Sequence, residues 1–182
     1  MLLKDKMNNQ VTLEMSKAHG LSVMAVPKLV KITINVGFGP YRESKDALEA
    51  IKKELIAITG QQPKTTSSKK SISGFKLRAG QMVGYVVTLR TDKMWDFVTK
   101  FANTVLPRIR DFEGISVKSF DKNNNLTIAV KEQMMFPEIK SDDIKNLWGL
   151  AITLTMKNSA DQALVKEYLQ KAGFLFKEEQ NG

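Results

Sequence analysis

The chain has 182 residues, 42% apolar and 26% charged, a composition that suits a folded domain with its own core and excludes a disordered tail. Twenty-eight Lys and Arg against nineteen Asp and Glu leave +9 at pH 7, an excess that favours a polyanionic partner. Cysteine is absent, which excludes disulfides and thiolate metal sites, and no run of eighteen apolar residues offers a helical membrane span. MLLKDKMNNQ breaks into charge at once, unlike a signal peptide, and Asp5 and Glu14 argue against a transit peptide, so a cytoplasmic protein is expected.

In chain order, Leu3, Met7, Val11 and Met15 predict an amphipathic helix over residues 2–18. Residues 28–36 alternate as a strand, with Val30, Ile32, Ile34 and Val36 on one face and Lys31, Thr33 and Asn35 on the other. Gly37-Phe38-Gly39-Pro40 stops it. A helix is expected from about Ser44, with Leu48, Ile51, Leu55 and Ile58 as its buried stripe and Gly60 as its end. A short strand near 62–68 leads into a Ser-, Thr- and Gly-rich stretch that reads as an irregular loop to about 82. Residues 83–90 return to strand, with Val83, Tyr85, Val87 and Leu89 opposite Val86, Thr88 and Arg90. Met94, Phe97, Val98, Phe101 and Val105 mark a helix over 92–106.

Two strands follow, near 115–120 and at 125–131, joined by a KNNN turn. The second points Leu126, Ile128 and Val130 inward and Asn125, Thr127 and Lys131 outward. A short helix near 142–147 precedes the clearest strand, 150–157, where Leu150, Ile152, Leu154 and Met156 oppose Ala151, Thr153, Thr155 and Lys157. The last helix opens at Ser159, three residues before Gln162 as in a capping box, and buries Leu164, Val165, Tyr168 and Leu169 before Gly173. No repeat or linker interrupts residues 1–182, so a single domain is expected. One-sided alternation in four strands implies an α+β fold, a sheet with helices on one face and the other face open.

The outward positions carry Lys, Thr, Asn, Ala and Arg and no acid. Small hydroxyls and amides let nucleic acid approach closely and offer donors to phosphates and 2′-hydroxyls; an ordinary solvated face is the plainer alternative. Charge distribution favours RNA. No Asp or Glu lies between Leu55 and Thr91, where Lys64, Lys69, Lys70, Lys76, Arg78 and Arg90 all fall. Within KKSISGFKLRAG (69–80), Lys69, Lys70, Lys76 and Arg78 suit phosphates, Gly74 and Gly80 give bends, and Phe75 is placed to stack on a nucleotide. The alternative role for Phe75 is an anchor packed beneath the loop.

Catalysis has little to work with. His19 is the only histidine and sits at a helix end beside Gly20; Asp142 and Asp143 lack a third ligand and fit a helix's first turn. Gly37-Phe38-Gly39 lacks the third glycine of a dinucleotide loop, and no phosphate-loop motif occurs. No catalytic residue, metal site or cofactor is expected. A nucleic-acid-modifying enzyme requires a clustered acid or base, which is not visible; a protein–protein adaptor using the sheet edge would make the charge incidental.

VPKLVKITINVGFG (26–39), TGQQPKTT (59–66), KKSISGFKLRAG (69–80), LPRIRDFEG (106–114), KSFD (118–121) and KEQMMFPEI (131–139) together resemble one family, in that family's order. It is the bacterial-type large-subunit ribosomal protein number five. The resemblance runs from the first helix to the last. It implies a non-enzymatic constituent of the large subunit, with a five-stranded sheet backed by helices. It implies that 5S rRNA lies on the open face, with Asn35, Gln61 and Thr88 central to a contact set of Lys31, Thr33, Asn35, Gln61, Thr66, Ser68, Thr88, Arg90 and Thr127. It implies that the extended loop 69–82, through Lys69, Lys70, Gly74, Phe75, Lys76 and Arg78, faces peptidyl-site tRNA, and that a surface around 134–148 bridges to a small-subunit head protein. Large-subunit rRNA and large-subunit proteins near 5S rRNA are further implied partners, in cytoplasmic ribosomes and with no membrane. Four features depart from the family pattern: Ala79 where an acid is common, DKNNN (121–125) for a glycine-containing turn, Ala129 for a frequent glycine, and Trp148.

Overall fold

The computed structural model describes residues 2–75, 77–110, 112–139 and 146–177. Strands β1 (Lys28–Gly37), β2 (Lys64–Ser67), β3 (Met82–Leu89), β4 (Leu126–Val130) and β5 (Leu150–Lys157) form one open antiparallel sheet in the order β2-β3-β1-β5-β4. Among the described residues four helices accompany it: α1 (3–18), α2 (Lys45–Thr59), α3 (Thr91–Lys100, prolonged by a π turn over Phe101–Val105) and α4 (Gln162–Lys171). The fold is α+β, as one-sided strands require. The chain packs as two compact units, one of residues 1–32, 90–128 and 153–182, the other of 33–89 and 129–152.

In the first unit, α1 buries Met7, Val11 and Met15. Residues four apart drift by about 40° per step on a regular α-helix. A π-helical stretch at Lys6–Val11 offsets the drift, and Thr12 seals it by donating its hydroxyl to the Met7 carbonyl at 2.8 Å. α3 buries Met94, Trp95, Phe97, Val98, Phe101 and Val105, with Phe97 and Phe101 stacked at 5.9 Å. Pro107 has no amide to continue the ladder, and the helix closes in a short 3₁₀ turn at Leu106–Arg108. Tyr168 of α4 is buried, and burial pushes its phenol up to about 12 against the opposing, lowering effect of the Leu29 backbone.

In the second unit, Ser44 caps α2 by accepting from the Ala47 amide, and Gly60 ends it in the left-handed conformation (φ 63°). The buried stripe is Leu48, Ile51, Leu55 and Ile58, as expected. Tyr85 of β3 reaches the Leu48 carbonyl of that helix at 3.4 Å. β2 pairs antiparallel with β3, Lys64 opposite Val86 and Thr66 opposite Gly84, with the register shifting between Thr66 and Ser67.

Several expectations are corrected. Val30 is 39% exposed while Leu29 is buried, because the alternation slips between Leu29 and Ile32. Residues 115–120 are not a strand: Ile115 makes one bridge to Phe176, Phe120 one to Leu126, and a 3₁₀ turn fills Val117–Ser119. Asp161, not Ser159, caps α4 by accepting from the Ala163 amide; the Ser159 hydroxyl donates instead to the Asn123 carbonyl. Leu164 is only half-buried. The helix expected near 142–147 falls mostly outside the described residues, and 146–147 are not helical.

Candidate nucleic-acid interface

In the second unit, β1 buries Ile34 and Val36 and turns Thr33 and Asn35 to the opposite side, with Asn35 exposed. On β3, Val87 and Leu89 are buried between half-exposed Val86 and Thr88. Thr66 lies across from Gly84, where a β-carbon would come within 2.6 Å of the Val36 carbonyl oxygen and 3.2 Å of the Thr66 hydroxyl. Only glycine fits there, and the face stays low. Gln61 follows the left-handed Gly60 and folds back so that Nε2 donates to the Thr88 carbonyl at 3.1 Å. That bond orients the amide and leaves its oxygen and second hydrogen for another partner.

Ser68 is drawn away from this group. Its hydroxyl donates to the Lys70 carbonyl at 2.6 Å, and its backbone pairs with Gln81 and Gly80 at the base of the following loop. In the first unit, Thr127 of β4 is exposed with its hydroxyl 3.1 Å from that of Thr153 on β5, a pair that sequence reasoning placed outward without joining. Arg90 is exposed at the start of α3, and Lys31 is half-buried on β1. The structure thus groups Thr33, Asn35, Gln61, Thr66 and Thr88 in one unit and holds Lys31, Arg90 and Thr127 in the other.

The 69–80 loop is ordered by its own backbone rather than irregular. Ile72 and Leu77 exchange amide–carbonyl bonds at 2.9 and 3.1 Å, a 3₁₀ turn spans Ser73–Phe75, and Gly80, at φ 83°, bonds Ser68. Lys69, Lys70, Gly74 and Arg78 are exposed; Lys76 lies outside the described residues. Phe75 is 71% exposed, so it is not an anchor beneath the loop.

Sequence reasoning missed a buried network in the second unit. Gln133 is completely buried, donates Nε2 to the Asn146 carbonyl at 2.6 Å and accepts the Trp148 amide at 2.9 Å. The Trp148 indole donates to Glu54 of α2 at 2.6 Å. These bonds tie Gln133, Asn146 and Trp148 to one another and to α2, and the unusual Trp148 was the one visible signal. His19 pairs with Glu167 at 2.8 Å on an exposed helix end. Among the described residues, no three His, Cys, Asp or Glu converge as a metal site, and no helix is long and apolar enough to cross a membrane. The hydroxyls and amides grouped in the second unit can offer donors and acceptors to a polar partner.

Residues 22–78 match the family model for ribosomal protein L5, and residues 82–180 match the model for the C-terminus of that same ribosomal protein family. The chain belongs to the ribosomal protein L5 family. It is 48% identical over 170 residues to the large ribosomal subunit protein uL5c of Gracilaria tenuistipitata var. liui, covering 91% of this chain and 95% of that one. It is 44% identical over 175 residues to the large ribosomal subunit protein uL5 of Carboxydothermus hydrogenoformans, covering 96% and 97%, and 46% identical over 178 residues to the uL5 of Malacoplasma penetrans, covering 97% and 91%. As a bacterial-type member of the L5 family the protein has a structural, non-enzymatic role in the ribosome and binds RNA.

Proposed function

We propose that the chain, as one domain, binds 5S rRNA in the large subunit of cytoplasmic ribosomes, using Asn35, Gln61 and Thr88 as its central contacts. The observation that carries this is the Gln61–Thr88 bond, which fixes an amide at the end of β3, next to the strand that exposes Asn35. The hydroxyls of Thr33, Thr66 and Thr88 complete a surface whose outward strand positions carry no acid. Lys31, Arg90 and Thr127 add phosphate and ribose contacts, and Ser68 serves through its stem. The 69–80 loop reaches peptidyl-site tRNA with Phe75 as its stacking residue and Lys69, Lys70, Lys76 and Arg78 on phosphates. A surface around 134–148 contributes to a bridge with the small-subunit head.

Filter binding with 5S rRNA tests the first part. With about six phosphates engaged, affinity falls roughly three orders of magnitude between about 50 and 200 mM salt; a flat response refutes the reading. Deleting 73–79 leaves that affinity nearly intact and weakens tRNA at the peptidyl site. Loss of 5S affinity on deletion refutes the division into two sites.

A further inference from the structure

We propose that Arg42 is the positioning residue of the 69–80 loop, a strut that aims the Phe75 ring at its RNA partner; this rests on reading that loop as the tRNA-facing element. Arg42 follows the short turn Gly39–Tyr41, and both it and the loop belong to the second unit. Its Nη1 donates to the Phe75 carbonyl at 3.3 Å, 33 residues away in sequence. The Phe75 amide donates in turn to the Ile72 carbonyl at 3.3 Å. Both backbone groups of Phe75 are therefore engaged while its ring stands in solvent. An exposed phenyl gains nothing from the core, so backbone held from two sides serves a partner.

The other bonds described for the loop are internal. Ile72 with Leu77, Gly80 with Ser68, the Ala79 amide with the Ser71 hydroxyl and the Arg78 amide with Gln81 shape the hairpin but tie its tip to nothing else. The Arg42 bond reaches the tip from outside. It is made at a cost. Arg42 Nε is the one buried side-chain nitrogen or oxygen in the described residues that lacks a hydrogen-bond partner. A buried donor left unpaired is unfavourable, and a shorter residue would remove the penalty. What the arginine supplies is reach and a second donor: the same guanidinium whose Nε is orphaned holds the tip through Nη1. A tip already held loses less freedom when RNA arrives, which strengthens binding.

The test uses the full-length protein assembled into large subunits, with Arg42→Met, which keeps the aliphatic stem and removes every donor, Arg42→Lys, which keeps one, and Phe75→Ala. Hydrogen exchange at the Phe75 and Leu77 amides reports the strut, tRNA dissociation from the peptidyl site reports its use, and retained 5S rRNA reports assembly. Arg42→Met is expected to speed exchange at both amides several-fold and weaken tRNA about three- to tenfold with 5S rRNA content unchanged; Arg42→Lys falls between. Unchanged exchange in Arg42→Met overturns the proposal, as does faster exchange with normal tRNA affinity where Phe75→Ala weakens it. If Phe75→Ala leaves tRNA untouched, the tRNA reading itself fails, and the exchange rates alone decide whether Arg42 holds the loop. Should Arg42→Met fail to assemble, Arg42→Lys carries the same comparison.

Discussion

Gln61 separates hydrogen bonding from charge at the proposed 5S rRNA contact. Its Nε2 spends one hydrogen on the Thr88 carbonyl at 3.1 Å, so the remaining hydrogen and Oε1 point to fixed places. In Gln61→Ala the RNA groups that met them are left desolvated and unpaired, a loss of about 1–2 kcal/mol, or about five- to thirtyfold in Kd. The half-exposed intramolecular bond is worth about 0.5–1 kcal/mol, so the variant stays folded. Because glutamine is neutral, the line of log affinity against log salt shifts down without changing slope. Lys64→Ala, on exposed β2, instead lowers the slope by about 0.9 for each phosphate released. Gln61→Glu sets a carboxylate oxygen against the Thr88 carbonyl and brings an acid to an acid-free face, so its loss exceeds that of alanine. Filter binding between about 50 and 200 mM salt, with a thermal melt of each variant, reads all of this. Parent-like affinity for both Gln61 variants, or a changed slope in Gln61→Ala, refutes the reasoning.

Gly84→Ala is expected to cost about 1–3 kcal/mol in a urea titration, since its β-carbon lies 2.6 Å from the Val36 carbonyl and β3 has to shift; an unchanged midpoint means the strand has room. Gln133→Leu leaves the Trp148 amide and the Asn146 carbonyl without their buried partner, about 2–4 kcal/mol, read by urea titration and Trp fluorescence, and a loss under about 1 kcal/mol counts against the network. At Asp121, burial raises the carboxyl's pKa, but bonds from the Asn125 side chain and from the Asn125 and Asn123 amides together outweigh it and hold it below its ordinary value of 3.8. A carboxyl lowered on folding adds stability above its unfolded pKa that is lost as pH falls through the folded one. Asp121→Asn therefore flattens the acid limb of a stability–pH curve below about pH 4 and leaves neutral pH little changed in slope; an unaltered acid limb contradicts this.

Periodicity alone laid out four of the strands and the buried stripes of α2 and α3, because side-chain direction along a strand or helix is a local property of the backbone. The acid-free outward face was likewise legible, since the alternation that assigns Ile34 and Val36 to the core assigns Asn35 away from it. Tertiary structure decided what depends on partners far along the chain. Ser159 and Asp161 both suit a helix cap, and Asn123, thirty-six residues away from Ser159, takes the serine. Residues 115–120 look extended in sequence, but their neighbours offer single bridges, so no ladder forms. Leu29, not Val30, is buried at the start of β1, and Gln61, Gln133 and Arg42 draw their orientation from Thr88, Trp148 and Phe75. Local energetics set the period of each element; the long-range hydrogen bonds that aim individual side chains exist only once distant segments meet.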